Sequence, residues 1–143
     1  MEIKQISVFL ENTPNSLAKL TETLAQNKIN IRALSLADST DFGIARMIVD
    51  NPAATKETLK TNDFVVNITP VLLVKIPDVT GSLNTILALL SKNGRNVEYM
   101  YGFTGKKSNS AYMILRCTDN VKTESILKDA GIHLVSAEEL DEI

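Results

Sequence analysis

The chain writes one corner twice. "LENTPNSLAKL" occupies residues 10–20 and "IPDVTGSLNTI" residues 76–86. Each is a polar, turn-forming loop that ends in Ser-Leu and runs into a helical pattern. At the same offset of 66 residues, Val8 matches Val74, Leu24 matches Leu90, Asn27 matches Asn93 and Asn30 matches Asn96. Ala45-Arg46-Met47-Ile48 faces Ala111-Tyr112-Met113-Ile114. A period this long is too long for a solenoid and points to duplication of a whole small domain. The 143 residues then divide into halves, 1–69 and 70–143. Each half has a thin core and must share buried surface with its twin or with another chain.

Both halves have the same order of patterns. "IKQISVFL" (3–10) alternates apolar and polar, as a half-buried strand does, while "VLLVKI" (71–76) is more continuously apolar. A helix is expected over about 14–27, with Leu17, Leu20 and Leu24 in one stripe, Thr13 as N-cap and Pro14 at the first helical position. Its copy carries Leu83, Ile86, Leu87 and Leu90 and stops at Asn93-Gly94. Hairpins follow: 29–37 with 42–50 about "DSTD", and 96–104 with 110–117 about "GKKSN". Second helices are expected near 53–61 and 121–130, the latter capped by Asp119 or Asn120 and stopped by Gly131. Last strands are "FVVNIT" (64–69) and "IHLVSA" (132–137), and the acidic tail "EELDEI" is expected to fray. The sum is βαββαβ, twice. The expected fold class is α+β, with two ferredoxin-like units whose antiparallel sheets carry helices on one face. The other face is then open to water or to a partner protomer, so a homodimer is expected.

Composition narrows the function. Net charge is −2, so no broad basic field favours nucleic acid. Tyr99, Tyr101, Phe103 and Tyr112 cluster on the second hairpin, but with few basic companions they suit packing better than base stacking. No stretch approaches the roughly 20 apolar residues of a membrane span, and the N-terminus has no signal-peptide pattern, so a cytoplasmic location is expected. The one cysteine, Cys117, has no paired histidine, and the one histidine, His133, has no Cys, Asp or Glu at metal spacing. No triad, carboxylate pair, cofactor motif or metal cluster emerges, and no catalytic residue is assigned. An acylphosphatase-like enzyme on the same scaffold is the alternative, but its chemistry wants an arginine in the first loop and neither loop has one.

The repeated corner is where ligand chemistry is expected. A helix N-terminus presents unpaired N–H groups and partial positive charge, which suit carboxylates and phosphates. Asn12, Thr13, Asn15 and Ser16 stand at the first corner. Asp78, Val79, Thr80, Gly81, Ser82 and Leu83 stand at the second. The plain alternative is that these residues only cap the helix and form the turn. Asn30 and Asn96, followed by Ile31 and Val97, open the next strand in each half and offer donor and acceptor together.

"ENTPNSL" followed by "NKINI" resembles the ACT domain, the small-molecule-sensing module of amino-acid metabolism. The usual pattern is a polar loop ending in Pro-Gly and an apolar residue, a helix, then Gly-Val/Ile-Asn-Ile. Pro14 matches the Pro, Asn15 stands for the Gly, and Lys28 replaces the Gly before Ile-Asn-Ile. The second copy keeps Gly81 and Asn93-Gly94 but has Thr80 for the Pro. "GRNVEYMYGF" is similar to stand-alone tandem ACT proteins. The resemblance covers about 3–137 and implies amino-acid binding between paired units. It implies the pairs Asn12 with Asn30 and Asp78 with Asn96 as ligand contacts, and a partner enzyme of amino-acid metabolism. A family histidine is Leu10 or Ile76 here, and Asp78 suits a ligand's ammonium, so the second copy is expected to be the better site.

Overall fold

The computed structural model describes every residue except Met1, Ser39, Thr104, Lys107 and Ser108, so those parts of the two expected hairpin turns lie outside the described residues. In chain order the elements are β1 (Ile3–Glu11), α1 (Ser16–Gln26), β2 (Ile31–Asp38), β3 (Phe42–Val49), α2 (Pro52–Thr61) and β4 (Val65–Pro77). Then come α3 (Ser82–Lys92), β5 (Val97–Phe103), β6 (Ser110–Cys117), α4 (Asn120–Asp129), β7 (His133–Leu134) and α5 (Ala137–Leu140). The chain forms two compact units: an N-terminal unit, Lys4–Thr69, and a C-terminal unit, Pro70–Ile143 with Glu2 and Ile3.

In the N-terminal unit, the period-two alternation of β1 puts Ile6, Val8 and Leu10 on one face. There they meet Leu20 and Leu24 of α1, Leu59 of α2, and Ala45, Met47 and Val49 of β3. The sheet order is β2-β3-β1-β4, with β3 antiparallel to both neighbours through Val8↔Ala45 and Leu34↔Met47. The C-terminal unit repeats the design. Leu72, Val74 and Ile76 of β4 pack with Ile86 and Leu90 of α3, Leu115 and Cys117 of β6, Leu127 of α4 and Leu134 of β7. Its order is β5-β6-β4-β7, and β7 meets β4 through two rungs, Val74↔Leu134 and Lys75↔His133. The ferredoxin-like βαββαβ pattern is present in both units.

Four features differ from the sequence expectation. First, α1 starts at Ser16 rather than 14, because Asn15 at φ 74 turns the chain through the left-handed region into the helix. Thr13 and Pro14 belong to the preceding turn, where the Thr13 carbonyl accepts from the Ser16 N–H at 3.4 Å and the two hydroxyls meet at 2.7 Å. Second, the segments 64–69 and 71–76 are one strand, β4. Pro70 suits extended backbone, and its carbonyl accepts from Arg116 Nη1 at 2.7 Å and Asn120 Nδ2 at 2.9 Å.

Third, the tail is ordered. Ser136 Oγ accepts from the Glu139 N–H at 3.1 Å and caps α5, which ends the strand expected over 132–137 after Leu134. Leu140 and Ile143, three residues apart, are both buried. The Ile143 carbonyl accepts from the Lys106 N–H at 3.4 Å. Fourth, the sheet face opposite the helices is not left open in the C-terminal unit. Leu73, Tyr112 and Ile114 lie on it by register, and all are buried within the single chain. Tyr112 packs edge-on against Phe103, ring centroids 5.8 Å apart, so these hairpin aromatics are packed as expected.

Candidate functional site

The two corners are built alike. Each loop is pinned to the hairpin by one backbone bond, Asn12 N–H to the Asp41 carbonyl at 2.9 Å and Asp78 N–H to the Asn109 carbonyl at 3.2 Å. Each then enters its helix through a left-handed residue, Asn15 (φ 74) or Gly81 (φ 90). That geometry leaves neither helix with a side-chain cap. The other long helices differ. Asn51 Oδ1 accepts from the Ala54 N–H at 3.1 Å at the start of α2, and Asp119 Oδ1 from the Lys122 N–H at 3.0 Å at the start of α4. The corner residues are therefore turn formers without being side-chain caps. The first turns of α1 and α3 present N–H groups and partial positive charge that no side-chain cap offsets.

Asn12, Thr13 and Asn15 are exposed and Ser16 is half-buried. Asp78, Val79, Gly81 and Leu83 are exposed and Ser82 is half-buried. Asn30 and Asn96 are exposed at matched positions. Their carbonyls accept from the Asp50 N–H at 3.3 Å and the Thr118 N–H at 3.2 Å, and the Asn30 N–H donates to Asp50 Oδ1 at 3.3 Å. Ile31 and Val97 pack against the two cores. The described hydrogen bonds thus tie the two asparagines to the end of the hairpin.

Beside each corner lies a cavity that sequence reading missed. In the C-terminal unit it holds about 570 Å³ between the end of β4, the inner side of α3 and the α4–β7 turn. Lys75, Ile76, Ser82, Ser110, Ile132 and His133 are among its walls. In the N-terminal unit the matching space holds about 400 Å³, walled by Phe9, Glu11, Ser16, Lys19, Asp63 and Phe64 among others. Of the corner residues, Ser16 and Ser82 alone reach these walls. The signal that was available is the offset itself, since Phe9 and Lys75 stand at matched positions with opposite character.

The remaining reactive side chains are engaged or buried. His133 Nε2 lies 2.7 and 2.9 Å from the two carboxylate oxygens of Glu139. Burial pushes the Cys117 thiol above its ordinary pKa. Among the described residues no group of three or more His, Cys, Asp or Glu is placed to hold a metal ion, and no helix is long and apolar enough to cross a membrane.

Known structures share this architecture. The chain is 40% identical to protein BT0572 from Bacteroides thetaiotaomicron, over 100% of this chain and 98% of that one, with a TM-score of 0.92. The regulatory subunit of aspartate kinase from Thermus thermophilus, in its ligand-free form, matches at 16% identity over 90% of each chain with a TM-score of 0.65. The regulatory subunit from Thermus flavus matches at 15% identity over 90% of each with a TM-score of 0.63. At such identities the last two share the fold. No curated protein matches the chain. The family model of the ACT domain pair matches residues 1–143, and the chain belongs to that family.

Proposed function

We propose that the chain is a non-catalytic regulatory protein that senses an amino acid at its loop–helix corners and acts on a partner of amino-acid metabolism. ACT domains are ligand-binding regulatory domains. The observation that carries the reading is the pair of helices without side-chain caps, α1 and α3, each set beside a polar loop while α2 and α4 are capped. A ligand carboxylate meets first-turn N–H groups there. Asp78 gives the C-terminal corner an anion for the ligand's ammonium, which Asn12 does not give the first. In this reading Asp78, Val79, Gly81, Ser82 and Leu83 with Asn96 and Val97 form the stronger site, and Asn12, Thr13, Asn15 and Ser16 with Asn30 and Ile31 the weaker. The chain works as a homodimer, which light scattering checks.

Thermal-shift screening against the twenty amino acids tests the sensing role. The expected outcome is stabilisation by one or a few amino acids at millimolar concentration. Calorimetry on Asp78→Ala is expected to show binding weaker by about 1–3 kcal/mol, the scale of a hydrogen bond to a charged group. No shift with any amino acid removes the reading, and unchanged affinity in the variant moves the site elsewhere.

A further inference from the structure

In the C-terminal unit one row of residues crosses the sheet on the face opposite the helices. Register pairs Phe103 with Tyr112, Tyr112 with Lys75 and Lys75 with His133, from β5 at one edge to β7 at the other. The segment Ala137–Ile143 is tied at both ends of that row. At the β7 edge, Glu139 meets His133 Nε2 at 2.7 and 2.9 Å. At the far hairpin end, the Lys106 N–H donates to the Ile143 carbonyl at 3.4 Å. Leu140 and Ile143 are buried.

The second tie lies by Tyr112. A methyl group added at Gly105 would overlap Tyr112 Cε2, so the hairpin end rests directly on the ring. The Tyr112 hydroxyl is buried, and among the described residues no hydrogen-bond partner meets it. A buried, unmet hydroxyl costs desolvation, and the cost is recovered when water reaches it. Closure is therefore held by two ties and opposed by one group. The same hairpin end pins the corner, because the Asn109 carbonyl, three residues after Lys106, accepts from the Asp78 N–H at 3.2 Å. The N-terminal unit has the equivalent pin from Asn12 to Asp41, but its last strand runs straight on in β4 and no such segment follows it. At the matched positions it carries exposed Ala37 and half-buried Arg46 where the C-terminal unit buries Phe103 and Tyr112.

We propose that Ala137–Ile143 is a clamp that opens and closes on the end of the β5–β6 hairpin and so regulates the C-terminal corner alone. Closed, it holds Lys106, and with it the Asn109 carbonyl that pins the loop at Asp78. Open, it frees the loop and lets water reach Tyr112. Its effect on amino-acid binding rests on the reading of the corner given above, whereas the pinning itself does not. The coupling is reciprocal, so a ligand that orders the loop also favours closure.

The test is amide hydrogen exchange by NMR on the full chain. Glu139→Ala removes the first tie and Ile143→Ala the buried anchor at the second. Each is expected to speed exchange at Lys106 and Asp78 by at least about threefold and to leave the Asn12 amide, its counterpart in the N-terminal unit, unchanged. Asp78 exchanges by local opening, so a loss of global stability alone does not move it. Tyr112→Phe removes the unmet hydroxyl and is expected to slow exchange at both amides. The proposal is overturned by unchanged exchange at Asp78 in both Glu139→Ala and Ile143→Ala, by an equal change at Asn12, or by faster exchange in Tyr112→Phe. Calorimetry with each of the twenty amino acids adds the ligand arm, in which Glu139→Ala is expected to weaken binding at the C-terminal corner by at least about threefold. Absence of binding at about 10 mM together with faster exchange at Asp78 removes the sensing reading and keeps the clamp. Binding with both affinity and exchange unchanged in the two variants keeps the sensing reading and overturns the clamp.

Discussion

The N-terminal unit turns its chain through the left-handed region at Asn15, Lys28 and Asp63, and the C-terminal unit does so at Gly81, Gly94 and Gly131. The positions correspond: a helix entry, the exit from the first helix, and the exit from the second. One unit meets every such demand with glycine, the other with none. The backbone path is therefore a property of the fold, and the residue decides only how much it costs. Asn and Asp tolerate the conformation through their short polar side chains, whereas a lysine bears more of the steric penalty. At these three turns the N-terminal unit thus bears a local steric cost that its twin avoids.

The largest effect expected from this comparison tests the shared part. Leu24→Ala and Leu90→Ala remove matched core side chains that are each 1% exposed. Each is expected to cost about 2–5 kcal/mol in urea unfolding, and a marked difference between the two would end the parity of the cores. A smaller effect tests the strain. Gly94→Ala is expected to destabilise by about 1 kcal/mol, and Lys28→Gly to stabilise by up to about 1 kcal/mol. Asn15→Gly should stay within a few tenths of a kcal/mol, and a loss of stability in Lys28→Gly would show that the lysine makes compensating contacts.

The smallest effect lies on the second helices. Glu124 and Lys128 pair at 2.6 Å across one turn of α4, while Lys56 and Lys60 hold the matching places on α2. Lys56→Glu is expected to stabilise by about 0.3–0.5 kcal/mol. The Lys128 hydrogen bond lowers the Glu124 pKa, so its contribution is present above the ordinary carboxylate range and is lost as pH falls through the lowered value. The effect of Lys128→Ala on stability should accordingly shrink in acid, as urea unfolding at neutral and acid pH would reveal.

Periodicity carried most of the fold. The stripes Leu17-Leu20-Leu24 and Leu83-Ile86-Leu90, the alternation of β1 and the turn residues of the hairpins are local signals, and they placed the elements in order. The start of α1 was misread because Thr13-Pro14 is a good local cap, while the actual entry depends on a left-handed Asn15 that looks like a plain polar residue. The tail was misread because four acidic residues among 138–142 outweigh two apolar ones in composition, although Leu140 and Ile143 decide its packing. The corners were legible because each is one continuous stretch. The cavities were not, since the larger one exists only when β4, β6 and the α4–β7 turn are assembled.

Cys117 has a use that its burial creates. It is the single cysteine of the chain, 1% exposed in the core of the C-terminal unit, with its thiol held in the unreactive protonated form by burial. A thiol reagent must wait for that core to open before it can react. The chain therefore carries its own clock for the opening of one unit, and any ligand that settles beside β4 and α3 will be read as a slowing of that clock.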